Sequence, residues 1–528
     1  MKKISFRNNS FAIGAFSLTL AALLTKVLGV LYKIPLSYML TDEGMGYFNS
    51  AYTVYGFFYI LSTAGVPKAV TMVTTEMRTQ GIKGDAYCFF KYILSRFFII
   101  GASLTAIFVI FSPILSFVIG TAKSQYTMLV IAPTILFVTL SGVIRGQLNS
   151  DGRLVPIAIS QLVEAVSKLV FGIVFAYIGV RAKLSLPLIS AFTVFGITLG
   201  SLFSIIYLLI TSKRKNTEIK AEQKLCINKK ENLIKLFKIA IPITVSSSVL
   251  SVTGIIDTGI IIRGLTACGW NETSAISSYG NYTTLAFPML NLVSSIMAPI
   301  CVAYLPKLRE QYVKGNDTEF QKVLSRPIFI VSYFCAPCAF AYFLYAFDLL
   351  DILFASSASA SGAEMLIFLS PAVFLLPVLS VINTALEARG RLNATVISLG
   401  LGSLVKLVLS YVLIVNTNLG ILSAPISTCV SYLISLLVSL FALKREKIKL
   451  YYFSNIYAPL LLSLVVFYSA FTFIYLKYNL ISPFFRCSFS LGVSFICYVL
   501  IVIILNKVYL NRKKQVIINK KTNNFLVN

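Results

Sequence analysis

The sequence predicts an all-α integral membrane protein of about 14 transmembrane helices, with two six-helix lobes around a central cavity and two extra C-terminal helices. Three observations predict it. Hydrophobic residues make up 57% of the 528 and charged residues only 12%, against about 25% charged in a soluble domain. Apolar runs of about 20 residues, the length that crosses a hydrocarbon core, recur between short polar loops. The chain also resembles itself at an offset of 238 residues.

The apolar runs fall at 11–32, 46–69, 92–119, 125–147, 154–178, 186–211, 236–262, 276–304, 327–350, 363–386, 394–416, 419–443, 454–476 and 485–506. The basic start MKKISFRNNS precedes a run too long for a signal peptide, and no small-x-small cleavage site follows it. It reads as an uncleaved first helix. Pro67, Pro288, Pro299 and Pro377 lie inside runs, so kinks or tilts are expected there. With the N-terminus placed in the cytoplasm, 35 of the 46 Lys and Arg fall in cytoplasmic loops and tails or at the cytoplasmic ends of spans, seven in outer loops and four deeper within spans. That bias is the positive-inside pattern, and it puts both termini in the cytoplasm. The formal net charge of +27 is then mostly topology. The basic run KRKNTEIKAEQKLCINKKENLIK between spans six and seven reads as a linker beside anionic membrane lipid, with no nucleic-acid role.

The internal repeat is clearest where VIRGQLNSDGRLVPIAIS, from Val143, meets VINTALEARGRLNATVIS, from Val381. At that offset Lys168 falls on Lys406. A weaker match at 232 relates Tyr47, Asn49, Ser62 and Pro67 to Tyr279, Asn281, Ser294 and Pro299. Six spans separate the copies, so both begin on the same side of the membrane and the repeat is parallel. Such halves face each other across a central site and rock to expose it alternately. The boundaries expected are 1–211 for the N-lobe, 212–235 for the linker, 236–443 for the C-lobe, and 444–528 for spans thirteen and fourteen with a basic tail.

A charge at mid-membrane costs about 2.5–3.5 kcal/mol on insertion scales and marks a functional candidate. Lys168 and Lys406 sit near the centres of repeat-related spans. Glu164 lies four residues before Lys168, on the same helix face and in the favourable order for an ion pair. Its repeat counterpart is Gly402, which leaves Lys406 without a local partner. Asp257, in span seven, is a candidate partner for Lys26 across the lobes or a site for a coupling cation. Lys26 and Lys33 are seven residues apart and share one helix face. Asp42 and Glu43 follow in the first outer loop, beside a GMG sequence that permits a tight turn. They are either an outer gate with Lys33 or solvated. Arg145, Arg153, Arg389 and Arg391 lie at the cytoplasmic mouths of spans four, five, ten and eleven. They read as positive-inside anchors or as a ring for a phosphate, which Arg forks match. A cavity lined by Lys26, Lys33, Lys168 and Lys406 against Glu164 and Asp257 favours an anionic substrate and suits a cationic drug poorly.

Nine cysteines are scattered, mostly in apolar runs, and suggest neither a disulfide framework nor a zinc site. Cys335 and Cys338 form a CxxC inside a span, where packing is the expected role. Asp348 and Asp351, near the outer end of span nine, are the only candidate pair for catalytic carboxylates. Short outer loops leave little room for a catalytic domain, so no enzyme and no metal is expected.

The segments TKVLGVLYKIPL, DEGMGYFNSAYTVY and LSTAGVPKAV resemble the opening of the stage V sporulation protein B branch of the polysaccharide transporters. These belong to the multidrug/oligosaccharidyl-lipid/polysaccharide (MOP), or MATE-like, flippase superfamily. The span count, the two-lobe repeat and the GRL motifs extend the resemblance over nearly the whole chain. In the lipid II flippase of that superfamily, an Arg-x-Leu-Gly-like motif lies in the first helix; its first cavity Arg corresponds to Lys26 and its second to Tyr32, beside Lys33. The resemblance implies alternating-access export of an undecaprenyl-pyrophosphate-linked sugar, a peptidoglycan or polysaccharide precursor for cell wall or spore cortex. It implies the cytoplasmic membrane of an endospore-forming bacterium, no cofactor, and coupling, if any, to Na⁺, H⁺ or membrane potential. Cell-wall synthesis proteins are the implied partners. The competing readings are a cation-coupled multidrug exporter of the same fold, using Asp257 or Glu164, and a non-transporting scaffold.

Overall fold

The computed structural model of the chain describes residues 2–79, 83–216, 229–354, 356–446, 454–475 and 484–504. Residues 217–228 of the expected basic linker and the basic tail beyond 504 lie outside the described residues.

The described residues are almost wholly helical. Helices α1 (Lys2–Thr63), α2 (Val66–Thr79), α3 (Lys83–Ile119), α4 (Gln125–Ser150), α5 (Leu154–Arg181) and α6 (Leu186–Asn216) build the first half. Helices α7 (Lys229–Ala267), α8 (Glu272–Asn281), α9 (Phe287–Val313), α10 (Asp317–Leu353), α11 (Ser356–Ala388), α12 (Leu392–Asn416) and α13 (Ser423–Arg445) build the second. A π-helical turn, Tyr282–Ala286, joins α8 to α9. Helix α14 (Ser454–Ala470) and a last apolar helix, Phe484–Ile504, follow. Helices satisfy their own backbone hydrogen bonds, which is what a chain this apolar needs inside lipid.

Eleven helices among the described residues are long and apolar enough to cross a membrane. The first of these, Leu20–Met77, covers two expected spans. Within it α1 breaks at Thr41, whose φ of 61° lies in the left-handed region that costs a residue with a Cβ. Helix α7 is not among the eleven, and Ala458–Phe473 is shorter.

Two turns show why the repeat carries the GRL motif. After α4 the chain turns at Gly152, with φ of 69°, and after α11 at Gly390, with φ of 77°. In both turns the Arg amide returns to a carbonyl five residues back: Arg153 N–H to Leu148, and Arg391 N–H to Leu386. Glycine takes this left-handed turn without steric cost, and the loop closes the free carbonyls of the helix end. The turn starts α5 and α12 alike, and so sets Lys168 and Lys406 in equivalent places.

In the first half α5 packs on α6 and α1, and α4 packs on α6 and α3. In the second half α11 packs on α10, α9 and α13, and α12 packs on α13 and α7. Helix α1 spans the divide and also contacts α7, α8 and α9. At that crossing the glycines of GMG make no turn. Gly46 lies inside a helix, where a Cβ would strike the Ile276 carbonyl, and a Cβ on Gly280 would strike the Asp42 carbonyl. The bareness of these glycines lets α1 and α8 touch at the end of the bundle expected to face outward. Helix α14 docks on α10, where buried Tyr345 meets Ser490 at 2.6 Å and stacks edge-on against Phe471.

Candidate functional site

A cavity of about 550 Å³ lies between the halves, walled by α1, α4, α5 and α9. Its lining includes Lys26, Lys33, Lys168 and Arg145 with Glu164 as the one acid, a formal excess of three positive charges. Tyr32, Phe48, Tyr52 and Tyr59 supply aromatic walls, and Phe287 to Ser295 of α9 face them from the second half.

Lys168 is the central cation. Its Nζ stands 4.7 Å from the ring centre of Tyr52 and 5.4 Å from that of Tyr32, with the Tyr52 hydroxyl 3.5 Å away. An aromatic face attracts an ammonium by its quadrupole but does not cancel its charge. The ion pair expected between Glu164 and Lys168 does not form. Arg145 takes the Glu164 carboxylate instead, Nη2 to Oε2 at 2.9 Å. The same guanidinium donates to Ser160 Oγ at 3.2 Å and Ser204 Oγ at 3.1 Å. It is therefore clamped between α4, α5 and α6 at the cavity wall, and is no loose member of a ring at the mouth. The several fixed donors of the guanidinium, which also hold Ser160 and Ser204, explain why it outcompetes a flexible lysine for the acid.

Lys33 lines the cavity and also crosses to the second half. Its Nζ donates to the Thr283 carbonyl, in the π-helical turn, at 2.7 Å and to Asn49 Oδ1 at 3.2 Å. The expected gate between Lys33 and the acids Asp42 and Glu43 is thus replaced. Asp42 Oδ2 accepts from Asn281 Nδ2 at 3.1 Å, and Glu43 accepts from the Tyr47 hydroxyl at 2.7 Å. Asn49 Nδ2 donates to Thr284 Oγ1 at 2.7 Å. The repeat-related Asn49 and Asn281 each reach from their own half into the other, so the seal between the halves is nearly reciprocal. Lys26 is an exposed residue of α1 that lines the cavity.

Lys406 and Asp257 are absent from that lining. They pair with each other, Nζ to Oδ2 at 2.7 Å, with Asp257 at 8% side-chain exposure and Lys406 at 17%. Lys406 has no partner on its own helix but finds one on α7, and that partner is the acid expected to meet Lys26, which corrects the Lys26–Asp257 contact. Ser410 Oγ stands 3.5 Å from Asp257 and 2.6 Å from Ser427 Oγ.

The remaining arginines lie at or beside the two GRL turns, Arg153 in the first half and Arg389 and Arg391 in the second. Arg389 is buried, pairs with Asp317, and lies 4.7 Å from the Phe320 ring centre. Arg391 pairs with Glu446 at 2.8 Å. Arg153 reaches the Thr211 carbonyl at 3.4 Å. Glu446 thus serves Arg389, at 3.6 Å, as well as Arg391, and each arginine of the expected ring is held by protein partners. Cys335 is buried within α10. Among the described residues, no three His, Cys, Asp or Glu side chains gather as a metal site would need.

The aromatic cradle of Lys168 went unread in the sequence. Its trace was there: Phe48, Tyr52, Tyr55 and Tyr59 recur at helical spacing, and their rings touch in series at 6.0, 5.7 and 5.8 Å.

Fold and site define a class: a multi-pass membrane bundle of two repeated halves around a cationic cavity. The chain belongs to the polysaccharide biosynthesis protein family, whose profile matches residues 11–311. Stage V sporulation protein B of Bacillus subtilis is 23% identical over 427 residues, 79% of this chain and 80% of that one. Lipid II flippase MurJ of the same organism is 22% identical over 460 residues, 82% of each. Among solved structures, lipid II flippase MurJ in an inward closed conformation superposes with a TM-score of 0.71 at 15% identity, covering 95% of this chain and 99% of that one. An inward-facing multidrug resistance MATE family transporter of the MOP superfamily gives 0.65 at 12% identity, over 81% and 98%. At these identities the likeness is one of fold.

Proposed function

We propose that the protein is a flippase for a lipid-linked saccharide precursor with a phosphate-bearing headgroup, working by alternating access. One observation carries the reading: a cavity between the two halves holds Lys26, Lys33 and Lys168 with one acid, and that acid is already taken by Arg145. A pyrophosphate fits the Lys26 and Lys168 ammonium groups, whose charge no acid among the described residues cancels, with Lys33 at the sealed end of the cavity. In a low-dielectric cleft its attraction to them is several times stronger than in water. The headgroup enters from the side opposite the Lys33–Thr283 seal, while its lipid tail stays in the bilayer. Rocking of the halves then breaks the seal and exposes the headgroup on the other face. No bond is made or broken in the substrate. Membership in a polysaccharide biosynthesis family and likeness to a lipid II flippase support undecaprenyl-pyrophosphate-linked sugars as the cargo. Likeness to a sporulation protein supports use in cell wall or spore cortex of a bacterium. Both termini then lie in the cytoplasm.

The shared MATE fold keeps cation coupling as a second reading. Its buried acid, Asp257, already holds the Lys406 ammonium, so Na⁺ or H⁺ would have to displace a tethered cation there.

The test is translocation in vesicles containing the purified protein and undecaprenyl-pyrophosphate-linked saccharide. An impermeant saccharide-modifying enzyme reports the exposed fraction. Protein-dependent exposure of this lipid, and none of a phosphate-free glycolipid, is expected. Equal movement of both lipids, or movement of a cationic dye instead, would sink the reading.

A further inference from the structure

Arg145 lines the cavity, so it would ordinarily be counted as one more anion-binding group. Its surroundings say otherwise. Its donors face Glu164, Ser160 and Ser204, from two neighbouring helices, and its side chain is 13% exposed. Ser204 Oγ in turn donates to the Ser160 carbonyl at 3.0 Å, which ties α6 to α5 behind the guanidinium. Glu164, one helical turn from Lys168 on α5, is the acid placed to neutralise it, since residues four apart on a helix stand about 5–6 Å apart at Cβ. With its acid diverted, the Lys168 ammonium rests on two aromatic faces that leave its charge intact.

We propose that Arg145 is a positioning residue: by occupying Glu164 it keeps the Lys168 ammonium, cradled on Tyr32 and Tyr52, unneutralised for an anionic headgroup. The inference rests on the anionic-substrate reading above and assigns a role within that site. Arg145 contributes no net charge to the ligand, because its charge is spent on Glu164. Loss of Arg145 alone lets Glu164 swing to Lys168 and cancel it. Loss of both leaves Lys168 as it is in the native protein.

The experiment measures binding of radiolabelled farnesyl diphosphate to the full-length protein in detergent, by equilibrium dialysis. Arg145→Gln should weaken binding about tenfold, the effect of losing one close charge contact. Arg145→Gln/Glu164→Gln should return to within about threefold of wild type, an energy change under about 0.7 kcal/mol. Glu164→Gln alone should bind at least as tightly as wild type. Arg145→Lys, which keeps a cation for Glu164 but loses the guanidinium's reach to Ser160 and Ser204, should fall between wild type and Arg145→Gln. A double variant as weak as the single would overturn the assignment and make Arg145 a direct contact. A weakened Glu164→Gln would also overturn it. Should Arg145→Gln fail to fold, the double variant decides alone, since it carries no unpaired charge. Wild-type binding by Lys168→Gln would overturn both this inference and the anionic-substrate reading. Weak binding by Lys168→Gln together with a weak double variant would sink only the role given to Arg145.

Discussion

Lys168 and Lys406 occupy the same place in the two halves and meet opposite fates. Both lie fourteen residues after the Leu that starts their helix, behind the same glycine turn. Lys406 is closed by Asp257 at 2.7 Å, away from the cavity lining. Lys168 lines the cavity against aromatic rings, and its nearest acid on the helix belongs to Arg145. The cause lies one turn back. The first half has Glu164 there; the second has Gly402, at which any side chain would overlap Ser435 of α13. Close packing of α12 on α13 thus excludes an acid from α12, and α7 supplies one instead. The difference teaches that a repeat fixes where a charge sits, while its neighbours decide whether it is a brace or a binding group.

The largest expected effect breaks the brace. Asp257→Asn leaves a buried ammonium unpaired and should cost about 3–5 kcal/mol, read as a fall in the thermal midpoint in detergent. Asp257→Asn/Lys406→Met should recover most of it, because no charge then remains. A single variant as stable as wild type would refute the brace.

Next in size is Lys168→Gln. It should weaken prenyl diphosphate binding about tenfold or more, with little change in thermal midpoint, since this ammonium lacks an acid whose loss would be felt. Lys168→Gln therefore inverts the pattern of Asp257→Asn. A large stability loss with unchanged binding would erase the distinction between the two lysines.

The smallest effect sharpens the cradle. A cation–π contact contributes about 0.5–1 kcal/mol at an exposed site. Tyr52→Leu should weaken binding about two- to fivefold, and Tyr52→Phe, which keeps the ring and loses the hydroxyl, should stay near wild type. Loss in both would credit the hydroxyl rather than the ring.

Much of the fold was legible because its signals are local. Twenty-residue apolar runs and two GRL turns each need only a short window of sequence. The central lysines were legible as buried charges, and so was their equivalence. The pairings were not. Arg145 meets Glu164 across nineteen residues and Lys406 meets Asp257 across 149, and helical periodicity reports only neighbours three or four apart. The pair read from spacing, Glu164 with Lys168, was displaced by a tertiary partner with better geometry. The GMG glycines misled for the same reason: glycine marks a tight turn and a close helix crossing alike, and only the arrival of Ile276 and Gly280 distinguishes them.

The central claim is that the cation presented by the first half holds the headgroup, while the repeat-related cation of the second half does not. Native mass spectrometry of the purified protein tests it by weighing the lipid that stays bound. Wild type and the charge-neutral Asp257→Asn/Lys406→Met variant should both retain a polyprenyl-pyrophosphate saccharide, and Lys168→Gln should lose it. Retention by Lys168→Gln, or its loss from the Asp257→Asn/Lys406→Met variant alone, would contradict the account.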